Sequence, residues 1–147
     1  MHYNVIIIGG GPGGIFSAYE LTKDRSDLRV AVFEAGHSLE KRHCPIDGDK
    51  VKSCIRCKSC SIMSGFGGAG AFSDGKLNTG TKDLRHGYIL EEFVRFGASE
   101  DILVDAKPHV GTDKLYVVLQ NLRREIIDRG GEVRFSHKVV DIEQNSG

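Results

Sequence analysis

The fold is decided by the stretch Val5-Ile-Ile-Ile-Gly-Gly-Gly-Pro-Gly-Gly14, which is followed, after a helix-like segment, by Val30-Ala-Val-Phe-Glu34. Strand, glycine turn, helix, strand and acidic residue occur here in the order of a dinucleotide-binding βαβ unit. The apolar run Val5–Ile8 predicts a parallel strand that is buried on both faces of its sheet. We therefore predict an α/β, Rossmann-like fold, with a parallel sheet and helices on its faces.

The glycines of the turn have separate physical roles. Gly9, Gly11 and Gly14 form G-x-G-x-x-G. The first permits the tight turn, the second lets a pyrophosphate approach the backbone, and the third allows close helix–strand packing. Pro12 suits a first helical turn, and the helix N-terminus offers free N–H groups to phosphates. These four residues are candidate cofactor-binding residues.

Glu34 ends the second strand, about 20 residues after Gly14, where such units place an acid. Its carboxylate can accept both hydroxyls of an adenosine ribose. The same carboxylate would repel a 2′-phosphate, so NADP(H) is disfavoured at this site. FAD and NAD both remain compatible with the first unit.

The composition narrows the class of protein. The chain has 147 residues, of which 39% are hydrophobic, as expected for one folded domain. Lys plus Arg and Asp plus Glu both number 20, so no basic field indicates a nucleic-acid partner. No apolar run is long enough to span a membrane, and no signal peptide is recognisable. We expect a cytoplasmic protein.

Hydrophobic periodicity outlines the remaining elements. It predicts helices over residues 12–23, 83–96 and 113–128, and strands over 28–33, 132–135 and 138–142. The buried faces of the first and last helices are predicted to be Ile15, Ala18, Tyr19 and Thr22, and Leu115, Val118, Leu119, Leu122 and Ile126. Thr112 is the predicted N-cap of the last helix, and Gly130 or Gly131 its predicted C-cap.

A second glycine-rich stretch carries a family resemblance. It reads Gly67-Gly-Ala-Gly-Ala-Phe-Ser-Asp-Gly-Lys-Leu77. Together with Gly9–Gly14 and Glu34, it resembles the bacterial FAD-dependent dehydrogenases known as NAD(FAD)-utilizing, within the two-dinucleotide-binding-domain flavoproteins. The resemblance implies an FAD-binding domain of the glutathione-reductase type.

That resemblance also implies roles for particular residues. The FAD pyrophosphate would lie on the first glycine turn and its ribose on Glu34, with Ala35 beside it, and Arg42 would reach the ribose or the phosphates. The second glycine stretch would approach the pyrophosphate, the ribityl chain and the flavin. The implied contacts there are the backbone N–H groups of Gly67, Gly68 and Ala69, and the hydroxyl of Ser73. The strand containing Val139 would lie beside the adenine.

Family members continue well beyond the last predicted strand. We therefore expect residues 1–147 to be the N-terminal part of an FAD-binding domain, incomplete at its C-terminus, with a cysteine-rich insertion at about 36–64. The remainder of the protein would close the sheet and bind an unidentified small-molecule substrate, with NAD(P)H as an electron donor. The implied activity is that of an FAD-dependent oxidoreductase. The alternatives are an NAD-dependent dehydrogenase and a non-catalytic nucleotide-binding module.

Four cysteines lie close together in the sequence. Cys54, Cys57 and Cys60 form C-x-x-C-x-x-C, and Cys44 precedes a proline upstream. A [4Fe–4S] cluster uses a similar triplet with a remote Cys-Pro, whereas zinc on four thiolates is the rival. A reversible dithiol near the flavin and free surface thiols are further alternatives. All four residues are candidate metal ligands.

Overall fold

The structure is a computed structural model that describes residues 2–72, 75–77, 83, 85–105 and 108–144. Strands and α-helices in this part follow the order β1 (Val5–Ile8), α1 (Pro12–Asp24), β2 (Val30–Phe33), α2 (Arg85–Arg95), α3 (Thr112–Asp128) and β3 (Glu132–Arg134). Short 3-10 turns occur at Leu39–Lys41, Ala69–Phe72 and Glu100–Leu103.

The three strands form one parallel sheet in the order β1-β2-β3. Val5 lies opposite Val30, and Ala31 lies opposite Glu132. Parallel neighbours require crossover connections, and these are supplied by α1 and by the long segment that ends in α3. The predicted Rossmann-like α/β fold is therefore confirmed.

The helices build the core on one side of the sheet. Every residue predicted for the inner faces of α1 and α3 is buried. Helix α2 and the residue after it pack on α1 through aromatic rings. The ring centroids of Phe16 and Phe93 lie 6.0 Å apart, and those of Tyr19 and Phe96 lie 5.5 Å apart. None of the described helices is long and apolar enough to cross a membrane.

Helix boundaries differ slightly from the predictions. Helix α2 begins at Arg85 rather than 83, and Leu84 lies outside the described residues. The N-cap of α3 is Gly111 rather than Thr112, because the backbone before the helix takes φ +79°, which glycine adopts without strain. The C-cap of α3 is Arg129 rather than Gly130 or Gly131, and Gly130, at φ +87°, is the residue that follows the cap and donates its N–H to the Ile127 carbonyl.

The strand predicted over 138–142 is not formed. Ser136 takes φ +58° after β3, so the chain turns away from the strand direction. Val140 and Ile142 are 85% and 75% exposed, and no described strand pairs with this segment. The apolar residues of this segment predict side chains that are half-buried in a sheet, but a strand also requires a hydrogen-bonded neighbouring strand.

The expectation that β1 is buried on both faces is also wrong for the described sheet. Ile6 and Ile8 are 53% and 57% exposed, whereas Ile7 faces α1 beside Gly14. The described residues cover this face of β1 only in part, through the segment around Val139 that lies near Ile6 and Ile8.

Gly14→Ala should destabilise the fold, because a Cβ at this position would lie 1.9 Å from the Gly9 carbonyl oxygen. We expect the free energy of unfolding to fall by about 3 kcal/mol, as for overpacking of a tight contact. Urea denaturation measures the effect. The matched control is Gly13→Ala in the same helix, where a Cβ meets no atom within 4 Å. Equal unfolding midpoints for the two variants would contradict the packing argument.

Candidate dinucleotide-binding site

The first glycine turn leaves open space beside Gly11 at the N-terminus of α1. Gly9 takes φ +102° and donates its N–H to the Phe33 carbonyl at 2.9 Å, which fixes the turn to β2. Gly11 is the N-cap of α1, with φ −77° and ψ −177°, and a Cβ on it would meet nothing within 4 Å. Pro12 is the first helical residue. The space over Gly11 therefore faces the N-terminal end of the helix, as a bound pyrophosphate requires.

The second glycine stretch folds back onto this turn. The Gly67 N–H donates to the Gly10 carbonyl at 2.8 Å. A Cβ on Gly68 would lie 3.4 Å from the Gly11 Cα and 3.5 Å from the Pro12 Cδ. The two turns thus form adjacent walls of one site. Among the residues assigned to the second stretch, Ser73 lies outside the described residues.

Glu34 connects three separate segments through its buried carboxylate. Oε2 accepts the Gly10 N–H at 2.6 Å, and Oε1 accepts those of Gly36 at 2.7 Å and Gly65 at 2.9 Å. A carboxylate has about four lone-pair positions, so about one remains. In this geometry Glu34 can accept one ribose hydroxyl rather than two.

Arg42 is almost fully buried, with 6% of its surface exposed. Its guanidinium donates to four backbone carbonyls at 2.7–2.8 Å, those of Ser61, Ile62, Phe66 and Gly68. Burial lowers the pKa of Arg42, and the nearby Glu34 charge opposes that shift. Arg42 thereby holds the end of the cysteine-rich segment against the second glycine stretch. Its contact with a ribose or a phosphate stays a prediction.

Two glycines to which the sequence assigned no separate role make these contacts possible. A Cβ on Gly36 would lie 2.3 Å from the Gly65 nitrogen, and one on Gly65 would lie 2.6 Å from the Arg42 Cδ. Gly36 is an isolated glycine, and Gly65 lies at the start of the glycine-rich stretch that runs to Leu77. Only the close approach of Glu34, Arg42 and the backbone explains them, and sequence spacing does not show that approach.

The candidate ribose contact, Ala35, and the candidate adenine contact, Val139, lie in different cavities. Ala35 follows Glu34 and lines a cavity at the end of β2. Val139 is half-buried and lies outside any strand, near Ile6, Ile8 and Phe33. The contacts proposed for them with a nucleotide stay predictions.

The four cysteines are free thiols on the segment between β2 and the second glycine stretch. Cys44 and Cys60 are half-buried, whereas Cys54 and Cys57 are exposed. The described residues contain no group of three or more His, Cys, Asp or Glu side chains placed to hold a metal ion. Backbone N–H groups of Met63 and Ile62 lower the pKa of the Cys60 thiol, with a smaller contribution from Arg42. The metal site predicted from spacing stays a prediction.

Comparisons with known proteins agree with the first unit. Residues 7–44 match the model of the NAD(P)-binding Rossmann-like domain. An uncharacterized protein of Clostridium beijerinckii is 40% identical over 142 residues, which are 97% of this chain and 26% of that protein. The chain therefore spans about a quarter of the length of this relative.

One solved structure, that of Thermovibrio ammonificans THI4, is 22% identical and covers 89% of this chain and 37% of its own, with a TM-score of 0.47. Residues 7–44, which hold the glycine turn, α1 and β2, are thus similar to an NAD(P)-binding Rossmann-like domain.

Arg42→Met should loosen the segment that Arg42 holds, because the four carbonyls lose their donor while an unbranched apolar stem is kept. We expect a loss of about 3 kcal/mol in the free energy of unfolding. We also expect faster limited proteolysis between residues 43 and 64. The control is Arg124→Met at an exposed position of α3. Proteolysis at the wild-type rate would show that Arg42 does not hold this segment.

Proposed function

We propose that this chain is the nucleotide-binding part of an FAD-dependent oxidoreductase. The observation that carries the proposal is the docking of the second glycine stretch on the first, through Gly67 on Gly10 and Gly68 against Gly11 and Pro12. An NAD enzyme usually has a short loop and helix after the second strand. Here the chain leaves the end of β2, passes through the cysteine-rich segment and returns to the pyrophosphate site.

The described residues fit a dinucleotide at this site. The open space over Gly11 accommodates a pyrophosphate, and the α1 N-terminus supplies N–H donors and a partial positive charge. The remaining lone pair of Glu34 accepts a ribose hydroxyl, and the second glycine stretch forms the wall towards the flavin. Bound FAD would supply the hydride or electron transfer, while the protein supplies binding and orientation.

We further infer that catalysis needs chain beyond the 147 residues. The match to a relative of about four times this length supports this inference. That additional chain would carry the substrate determinants and receive electrons from NAD(P)H. The proposal includes no nucleic-acid or membrane partner.

The variant Gly11→Ala tests the cofactor proposal. A Cβ there is sterically free in the folded protein but would occupy the space assigned to the pyrophosphate. We expect wild-type protein to bind FAD with flavin absorbance bands at ~370 and ~450 nm, and the variant to bind FAD about tenfold more weakly. The free energies of unfolding of the variant and the wild type should differ by about 1 kcal/mol or less.

The control is again Gly13→Ala, which lies outward on the same helix turn. Equal FAD affinity in Gly11→Ala and wild type would place the cofactor elsewhere. If the 147-residue chain does not bind FAD, FAD binding should be measured with a longer protein from the same gene. If that longer protein also does not bind FAD, the flavin assignment is wrong.

Metal analysis of anaerobically purified protein tests the cysteine cluster. The spacing predicts about four iron atoms, or one zinc, per chain. Because the described cysteines are not gathered around one point, a bound metal would require their segment to close further. The variant Cys54→Ser should then lower the metal content. Substoichiometric iron and zinc, together with four titratable thiols, would reject the metal site.

A further inference from the structure

A cavity of about 120 Å³ lies between the helices and the second glycine stretch. Helices α1, α2 and α3 all contribute to its lining, with Phe16, Phe93 and Leu122 among their side chains. Protein interiors are close-packed, and few of their voids are larger than a water molecule. A cavity of about 150 Å³ with apolar walls holds one benzene molecule. The space here is therefore large enough for a small organic group.

The lining favours a hydrocarbon over a polar ligand. Every side chain that the three helices contribute to it is apolar. Lys76 is the only charged residue of the described lining, and it is exposed at the surface. In the second glycine stretch, the Gly67 N–H and the Gly75 carbonyl are already hydrogen-bonded to Gly10 and Val110. A polar group inside the cavity would find few hydrogen-bond partners, so its burial is unfavourable.

The mouth of the cavity lies beside the candidate dinucleotide site. Among the lining residues, Pro12, Gly70 and Lys76 are exposed, so the cavity opens between them. Pro12 directly follows Gly11, over which the pyrophosphate is proposed to lie. The second glycine stretch runs from Gly68, which lies against Pro12, to the mouth at Gly70. A group in this cavity would therefore lie next to the proposed cofactor, on the wall that faces the flavin.

Backbone hydrogen bonds hold the rim of the cavity in place. The Val110 N–H donates to the Gly75 carbonyl at 2.9 Å, and the Leu77 N–H donates to the Pro108 carbonyl at 2.9 Å. These bonds join the second glycine stretch to the segment that precedes α3. A preformed cavity loses little conformational entropy when a ligand enters, so more of the gain from apolar burial appears as affinity.

We propose that this cavity binds a hydrocarbon group of about four to six carbon atoms, carried by the molecule that reacts with the bound flavin. The proposal rests on the proposed function and names a substrate class for it, namely molecules with a small alkyl or aryl group. It assigns one part of the substrate site to this chain. The other substrate determinants stay with the additional chain.

NMR titrations of the 147-residue chain with benzene and with pyrazine test the cavity. Both molecules are six-membered aromatic rings, but pyrazine has two nitrogen acceptors that would be buried without partners. We expect benzene to shift the methyl signals of Leu115, Leu119 and Leu122 and to bind at least about tenfold more tightly than pyrazine.

Two variants locate the binding. Leu115→Phe adds a larger side chain to the lining, and Gly70→Val narrows the mouth at a position where a Cβ meets no atom within 4 Å. Each should weaken benzene binding about tenfold. The matched control is Ile127→Phe, on an exposed face of α3 outside the cavity, which should keep the wild-type affinity. Wild-type affinity in both cavity variants, or equal affinities for benzene and pyrazine, would overturn the proposal.

The same titration on FAD-loaded protein separates this proposal from the proposed function. A longer protein from the same gene is used if the 147-residue chain does not retain FAD. We expect benzene to bind with an affinity within about twofold of that of the FAD-free protein and to shift the flavin band at ~450 nm, and we expect Leu115→Phe to reduce that shift.

Competition between benzene and FAD would show that the cavity belongs to the cofactor, and an unchanged flavin band would place the cavity away from the flavin. Either result would overturn the proposal while leaving the flavin assignment in place. Failure of the flavin assignment has a different signature. In that case neither protein binds FAD, whereas benzene still binds and still depends on Leu115 and Gly70, so only the link to a flavin reaction is lost.

Discussion

The carboxylate of Glu34 is the constraint on which the rest of the site depends. It is buried at the end of β2 and takes backbone N–H groups from the first glycine turn, from its own strand end and from the start of the second glycine stretch. Without it, three N–H groups would be buried with no partner, at a cost of about 1–3 kcal/mol each. The conformation of the candidate site is therefore coupled to one side chain.

Arg42 makes hydrogen bonds to backbone carbonyls, whereas Glu34 accepts hydrogen bonds from backbone N–H groups. Together the two side chains satisfy backbone polar groups of a segment that has little regular secondary structure. This explains how a long excursion after β2 can form a defined wall of a binding site. Positions 36 and 65 require glycine because a side chain at either position would displace the neighbouring backbone or the Arg42 side chain.

The sequence predicted the parts of the fold that are governed by local periodicity. The inner faces of α1 and α3 follow directly from a 3.6-residue apolar pattern, because that pattern records which side of a helix is buried. The glycine turn followed from its motif and context. The hydrogen bonds by which Glu34 joins separate segments could not be predicted from the sequence. Its partners Gly10 and Gly65 lie 24 and 31 residues away and donate through backbone N–H groups, which no residue pattern records.

Two errors have a common physical origin. The run Val5–Ile8 and the segment 138–142 are both apolar, and apolar side chains indicate a need for cover without specifying the neighbour. In the described sheet β1 lies at an edge and residues 138–142 have no strand partner. The cysteines raise the same difficulty, because spacing indicates which residues could share a ligand but not whether the chain gathers them.

The exposed face of β1 has a consequence for the behaviour of the protein in concentrated solution. Ile6 and Ile8 face outward beside a strand edge that no described strand covers. Such an edge offers its backbone groups to any extended apolar segment, whether from the same polypeptide or from another. Coverage within one chain therefore competes with cross-pairing between chains, and the balance shifts towards association as the concentration rises.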